Sequence, residues 1–165
     1  MGCDIHIITE FKSKSSNNWS SLGYVPNNPG RNYDLFAKLS GVRGYPDKDG
    51  PIATPGWPAL ISWSAKLAST LRVIENTEPR QERTAHRKDA ESWVKSNMSQ
   101  WVKDEDGVER SVTHPDWHSY GHCTIEQMSK ALRKNSSVEY RAMMAAARSL
   151  EKDDMDVRFL FFYDN

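Results

Sequence analysis

The stretch that decides the fold is Val157–Tyr163, VRFLFFY, near the end of the chain. It is almost continuously apolar. In an extended chain successive side chains point to opposite faces, so apolar side chains on both faces have to be buried. That pattern is typical of a strand buried on both faces of a sheet. We therefore predict a central strand at this position.

A second strand is predicted at the start of the chain, over Cys3–Phe11, CDIHIITEF. Its residues are β-branched and alternate in character, with an apolar face on one side. The other face is polar apart from Ile8, which suggests that this face is at least partly covered. These two strands predict an α+β fold: a small, mostly antiparallel sheet whose N- and C-terminal strands are neighbours, packed with several helices.

The rest of the chain predicts further elements around this sheet. A hairpin partner strand, a breaker-rich loop and several helices follow from turn residues, apolar spacing and capping boxes. We expect one domain over 1–165, with a possible helical insertion at about 59–102. The expected elements are a strand over 19–25, helices over about 32–41, 59–74, 78–102, 125–133 and 138–150, and a long ordered loop over 42–58.

Charge and composition exclude several classes of protein. The 22 Lys and Arg residues balance 22 Asp and Glu residues, which argues against nucleic acid and anionic membranes as partners. No apolar run approaches the roughly 20 residues of a membrane helix, and the N-terminus lacks the pattern of a secretion signal. We therefore expect a cytoplasmic protein without membrane association, in which Cys3 and Cys123 are thiols. The oligomeric state stays open.

Asp4 and His6 are the first candidate functional residues. They are two positions apart on the polar face of a strand, so their side chains lie about 7 Å apart along one face. Such a pair is able to share a metal ion or to form a base with its orienting carboxylate. The alternative is that this face is only exposed to solvent.

The second candidate is the segment His114–Cys123, which holds three His, one Asp and one Cys within ten residues. Pro115, Gly121 and the capping Thr124 favour a loop over a helix. Together with the polar face of the first strand, this loop has enough ligand-type side chains for a zinc-like divalent metal. The alternative is a loop in which Asp116 and His118 bond backbone groups.

Four segments together resemble a family of small proteins that is frequent in bacteriophage and prophage genomes. The similarity runs in order along nearly the whole chain, and the family is functionally uncharacterised, so it implies no activity. The segments are Met1-Gly2-Cys3-Asp4-Ile5-His6, Arg31-Asn32-Tyr33-Asp34-Leu35-Phe36, Asp116-Trp117-His118-Ser119 and the end Val157-Arg158-Phe159 to Asp164-Asn165.

The resemblance narrows the set of candidate residues. His114 lies outside the family pattern, and His122 takes a position where a small polar residue is expected. The pattern therefore favours Asp4, His6, Asp116 and His118 as the set that would hold a metal. It implies a wider set of site residues, which are Asp4, His6, Arg31, Asn32, Tyr33, Asp116, His118 and Ser119, and it also includes the terminal Asp164 and Asn165.

Two hypotheses of function follow. The first is a phage-encoded cytoplasmic protein whose Asp/His/Arg/Tyr pocket binds a small anionic or nucleotide-like ligand, with or without a divalent metal. Arginine suits phosphate through its bidentate fork, and tyrosine is able to stack on a base. The second is a non-enzymatic protein that inhibits a host defence or regulatory complex through its surface, since six Trp residues offer interface anchors.

Overall fold

The structure is a computed structural model, and it describes residues 2–22, 29–104, 106–132 and 136–164. The chain divides into two compact units. The first comprises residues 1–65 and 118–165, and the second comprises residues 66–117. The second unit overlaps the range of about 59–102 in which a helical insertion was expected, but its bounds differ.

The first unit is built on a five-stranded antiparallel sheet with strand order β2-β1-β9-β8-β3. As predicted, the N- and C-terminal strands are neighbours: β1 pairs with β9 over ten residues, from Asp4 opposite Asp164 to Ser13 opposite Met155. The described elements are β1 (Asp4–Ser13), β2 (Ser20–Ser21), α1 (Tyr33–Ser40), β3 (Thr54–Pro55), β8 (His118–Cys123), α4 (Ile125–Ala131), α5 (Val138–Lys152) and β9 (Met155–Asp164).

Helices cover one face of this sheet and form the larger core. The aromatic residues of β9 on this face are fully buried, and they pack against apolar residues of β1, α1, α4 and α5. The sequence signals for two helix ends are confirmed. Thr124 and Gln127 form the predicted capping box of α4, and Gly41 ends α1 in the left-handed conformation.

The opposite face of the sheet is covered by an irregular segment, residues 56–62. Trp57 Nε1 donates to the Phe161 carbonyl at 3.0 Å, and the Ser62 backbone N–H donates to Glu10 Oε1 at 2.6 Å. Leu160 and Phe162 are buried on this face. The strand is thus covered on both sides, as its apolar pattern requires, and the second cover is a loop.

The second unit contains a four-stranded sheet with order β5-β4-β7-β6, in which only β4 and β5 are parallel. One helix, α3, packs on it around a small buried cluster that includes Leu71 and Val112. Helix α2 spans the boundary between the two units in the sequence, which lies between residues 65 and 66. The elements are α2 (Trp63–Ala68), β4 (Thr70–Ile74), β5 (Thr84–His86), α3 (Arg87–Lys95), β6 (Trp101–Lys103) and β7 (Glu109–Thr113).

The two helices predicted over 59–74 and 78–102 are wrong in their extent. The first is a six-residue helix followed by β4, whose residues Thr70, Val73 and Ile74 are β-branched and suit a strand once partners exist. The second is interrupted by two strands, and Asn97 in a left-handed conformation follows the end of α3. Residues 66–117 therefore form a unit of mixed α/β structure.

Two other local predictions need correction. The segment His118–Cys123, expected as a loop, is β8, and it pairs with both β9 and β3. The strand predicted over 19–25 is described only as β2, since residues 23–28 lie outside the described part of the chain. The ends of the predicted 125–133 helix and of the family pattern, Arg133 and Asn165, also lie outside it.

Candidate functional site

The end of the sheet where the two terminal strands meet holds a group of polar side chains. Asp4 and Asp164 are direct cross-strand partners, and Asp164 Oδ1 accepts from the Asp4 backbone N–H at 3.2 Å. The other oxygen of Asp164 lies 2.8 Å from Nε2 of His6. One carboxylate therefore links the start of β1 to the imidazole two residues further along the strand.

Arg31, just before α1, completes this group. Its Nε lies 2.7 Å and its Nη2 lies 3.3 Å from the two carboxylate oxygens of Asp4, which is a bidentate ion pair. The guanidinium occupies the space where a Cβ of Gly2 would be, so only glycine permits this approach. We call Asp4, His6, Arg31 and Asp164 the polar cluster.

The electrostatics of the cluster follow from this pairing. The hydrogen bond from Arg31 lowers the pKa of Asp4, and the same bond raises the pKa of Arg31. Tyr33 and Asp164 make smaller contributions to the raised pKa of Arg31. The side chains are half-exposed: 53% of Arg31, 29% of Asp4, 26% of His6 and 31% of Asp164 remain accessible. The cluster is thus preorganised and open to solvent.

The His6 imidazole packs against an aromatic ring. Its imidazole stacks on Phe162 with a centroid distance of 4.7 Å and an interplanar angle of 12°. Tyr120 stacks on the same Phe162 ring at 5.4 Å. Phe162 is buried, so it provides a rigid platform for the His6 ring.

Asn32 and Tyr33, also named as site residues, lie at the start of α1. Asn32 is the N-cap of α1, and its side-chain oxygen accepts from the Leu35 backbone N–H at 3.1 Å. That bond assigns Asn32 to the helix terminus. Tyr33 is 42% exposed and meets the Phe36 ring edge-on, so its ring is accessible beside Arg31.

His118 does not join the cluster. Cross-strand partners share a face of a sheet, and consecutive residues of one strand alternate between faces. His6 is paired with Phe162, whereas His118 is paired with Tyr163 and lies against its ring at 6.1 Å. The two imidazoles therefore lie on opposite faces of the sheet, and the predicted metal set does not converge.

Ser119 lies in the irregular part of β8, where the register with β9 shifts between His118 and Gly121. Its φ of 51° is left-handed, and its Oγ lies 2.9 Å from His118 Nδ1. This pattern, with an extra residue on one strand, is a β-bulge. Among the described residues, His118 Nε2 is buried and has no hydrogen-bond partner.

Asp116 belongs to the other unit of the chain. Its backbone N–H donates to His114 Nδ1 at 3.1 Å, and its carboxylate lies 3.8 Å from the same nitrogen. The His114 ring stacks on Trp117 at 4.9 Å. In the described ranges, no group of three or more His, Cys, Asp or Glu side chains is arranged to hold a metal ion.

Asp164 was not among the predicted site residues, although the resemblance includes it. Antiparallel pairing of the two predicted terminal strands would have placed it there, because such pairing brings the end of one strand beside the start of the other. Arg43, which the resemblance also includes, was not predicted as a site residue either. It partly offsets the rise in the Cys3 pKa that burial causes.

The fold and the site together define an α+β protein with an exposed polar cluster at the paired ends of its terminal strands. Comparison of the chain with protein-family models, with curated proteins and with solved structures gives no match. None of the helices in the described ranges has the length and apolar character needed to cross a bilayer.

Proposed function

We propose that this protein is a phage-encoded binding protein for a small anionic ligand of nucleotide type, which it holds at the polar cluster. The observation that carries the proposal is the Arg31 guanidinium, held by Asp4 through Nε and Nη2. A guanidinium fixed in this way presents its remaining N–H groups in a constant direction. Fixing the donor in advance reduces the entropy that a ligand would otherwise lose on binding.

The neighbouring side chains support a ligand with both an anionic and an aromatic part. Arginine N–H groups match the geometry of phosphate and carboxylate oxygens. The half-exposed Tyr33 ring offers a stacking surface for a base, two residues along the chain from Arg31. His6 and Asp164 add a donor or acceptor whose orientation is fixed by the bond between them.

The contacts that carry the proposal, from Arg31, Tyr33 and the His6–Asp164 pair, do not require a metal ion. The His6–Asp164 pair has the form of a base with an orienting carboxylate. Binding without chemistry, as in sequestration of a signal nucleotide, requires only the contacts described above. The proposal therefore concerns ligand capture, with the protein acting in the host cytoplasm.

The experiment is a thermal shift and calorimetric titration of the protein with a panel of mononucleotides, dinucleotides and inorganic phosphate, each with and without EDTA. A ligand at 100 times its Kd stabilises the native state by about 2.7 kcal/mol. We expect at least one nucleotide to raise the Tm equally in both conditions, and Arg31→Gln to abolish the shift.

The matched control is Arg80→Gln, which removes an exposed arginine outside the cluster. It should retain the full shift. A panel that gives no shift, or a shift that survives in Arg31→Gln, contradicts the proposal.

A second candidate is the interaction protein that blocks a host complex. It is favoured by apolar side chains that the first unit exposes: Tyr45 is 98% exposed and Leu60 is 63% exposed. Isolated exposed side chains are common on protein surfaces, so this observation alone is weaker than the ordered polar cluster.

A further inference from the structure

Helices α4 and α5 enclose a surface groove that is separate from the polar cluster. One part of it is a cavity of about 510 Å³, and among the described residues that line it the charged ones are two arginines. Apolar side chains and serine hydroxyls form the rest of the lining. The residues that carry the argument are Arg141, Arg148, Ser129, Leu132, Met144 and Ala145.

The two arginines are held in place on the same side of α5. Arg148 Nη2 donates to Ser129 Oγ of α4 at 3.0 Å, and Arg141 Nη1 donates to the Ser136 carbonyl at 3.0 Å. Arg141, Ala145 and Arg148 are spaced i, i+4 and i+7, so they follow one face of the helix. The helical rise sets the two arginine positions about 10 Å apart.

Between the arginines the groove is lined by apolar side chains. Ala145 has a small, exposed side chain, and Met144, which also lines the cavity, is 8% exposed. Methionine adapts its shape to different partners, which suits a surface that receives a side chain. A positive group at each end and an apolar patch between them fit a ligand of complementary charge.

The groove continues past Arg148 into a second cavity of about 540 Å³. There Arg148 and Lys130 are accompanied by Glu126 and Glu151, so the charge is mixed. In the described part of the chain, the section of the groove without acidic residues is therefore the one between Arg141 and Arg148. A long polyanion would meet the two carboxylates, whereas a short acidic peptide would fit between the arginines.

We propose that this groove is a docking site for an acidic peptide segment of a partner protein, with two carboxylates about 10 Å apart on either side of an apolar side chain. The carboxylates pair with Arg141 and Arg148, and the apolar side chain packs on Ala145 and Met144. This surface would give the protein a macromolecular partner in addition to the small ligand, and it does not depend on the polar cluster.

The test is fluorescence anisotropy with the full chain and a fluorescein-labelled peptide that carries Asp-Leu-Leu-Asp in a Gly/Ser frame. We expect saturable binding that weakens at least tenfold when both Asp residues of the peptide are replaced by Asn. Arg141→Ala and Arg148→Ala should each weaken it to a similar extent, while Arg80→Ala should change it less than twofold.

A variant that blocks the groove sterically separates the contribution of the groove's shape to peptide binding from that of its charge. Ala145→Trp fills the groove without altering any charge, and because Ala145 is exposed the fold should be retained, which a thermal melt checks. We expect it to abolish peptide binding. The proposal is overturned if the Asp peptide does not bind, if Ala145→Trp or Arg148→Ala binds as wild type does, or if a 12-nucleotide single-stranded DNA binds as tightly and competes with the peptide.

Discussion

The ion pair between Asp4 and Arg31 joins the first strand to the segment just before the first helix. Both side chains are substantially exposed, so the pair adds little to the free energy of unfolding, as is usual for surface ion pairs. Its effect is on position: it fixes the direction of the guanidinium next to His6 and Asp164. The residue-scale consequence is an ordered donor at a surface that would otherwise hold mobile side chains.

This pairing predicts a pH dependence with a definite sign. Arg31 lowers the pKa of Asp4 in the native state, so ionised Asp4 contributes stability above the ordinary Asp pKa of about 4 and loses it as the pH falls through the lowered native value. We expect wild type to be more stable than Asp4→Asn near pH 6 and the difference to shrink as the pH falls below the ordinary Asp pKa. Urea denaturation across this range measures it. In an Arg31→Gln background the dependence should be clearly weaker, since only the smaller contribution of His6 to the Asp4 pKa is left, and an equally steep dependence there would contradict the assignment.

The two cysteines give a second prediction at this scale. Both are free and buried, and burial raises the pKa of Cys123 to about 12 and that of Cys3 above its usual value. Only the thiolate reacts with a disulfide reagent. At pH 8 the native protein should therefore react with Ellman's reagent at least tenfold more slowly than the same protein in urea. Rapid release of two equivalents from native protein would show that these side chains are not buried.

At the scale of elements, β1 and β9 are joined by an ion pair under the covering segment 56–62. Glu10 is fully buried, and it accepts from Arg158 Nε at 2.8 Å and from the Ser62 backbone N–H. The Arg158 guanidinium also lies 3.6 Å from the centroid of the Trp19 ring. A single carboxylate thus connects both central strands with the loop that covers them.

Removing one partner of this pair leaves a buried charge without compensation, which costs about 3–5 kcal/mol. We expect Glu10→Ala to lower the free energy of unfolding by that amount in urea denaturation. Lys12→Ala, which breaks the more exposed pair with Asp156 on the same strand face, should have a much smaller effect. Equal losses in the two variants would mean that Glu10 is solvated in the native state.

The parts of the fold that could be predicted from the sequence are those with local signals. The apolar side chains of Val157–Tyr163 have to be buried on both faces of a sheet, whichever strands pair with this one. Thr124 and Gly41 specify helix ends through hydrogen bonds to the adjacent turn. The short strands of the second unit lack such signals. β6 has only three residues, and its pairing partner is β7. The apolar spacing over 78–102 carries no information about that pairing, and taken alone it resembled the spacing of a helix.

The candidate site was predictable only in part, for the same reason. Strand alternation places Asp4 and His6 on one face, whereas Arg31 was named only from the family resemblance, and the structure brings all three side chains into one cluster. His118 was misplaced, since the predicted loop is a strand with a bulge beside Ser119, and pairing with Tyr163 turns its side chain to the other face. The register between two strands depends on both of them, so it cannot be predicted from the sequence of either one alone.

At the scale of the whole molecule, the two units have cores of very different size. Among the described residues, seventeen buried ones form the core cluster of the first unit, whereas four form that of the second. Buried apolar area is the main source of stability, so the second unit should open at a lower free energy than the first. Hydrogen exchange followed by mass spectrometry should show slower exchange in β1 and β9 than in β4 and β7. Equal protection in both units would indicate a single cooperative transition.

The central claim is that the polar cluster binds a small anionic ligand, and a ¹⁵N–¹H NMR titration with the tightest-binding nucleotide from the panel tests it most directly. We predict that the largest chemical-shift changes fall on Gly2–His6, Arg31–Tyr33 and Asp164, and that these changes are lost in Arg31→Gln. Shift changes centred elsewhere on the molecule, or identical changes in Arg31→Gln, would contradict the account.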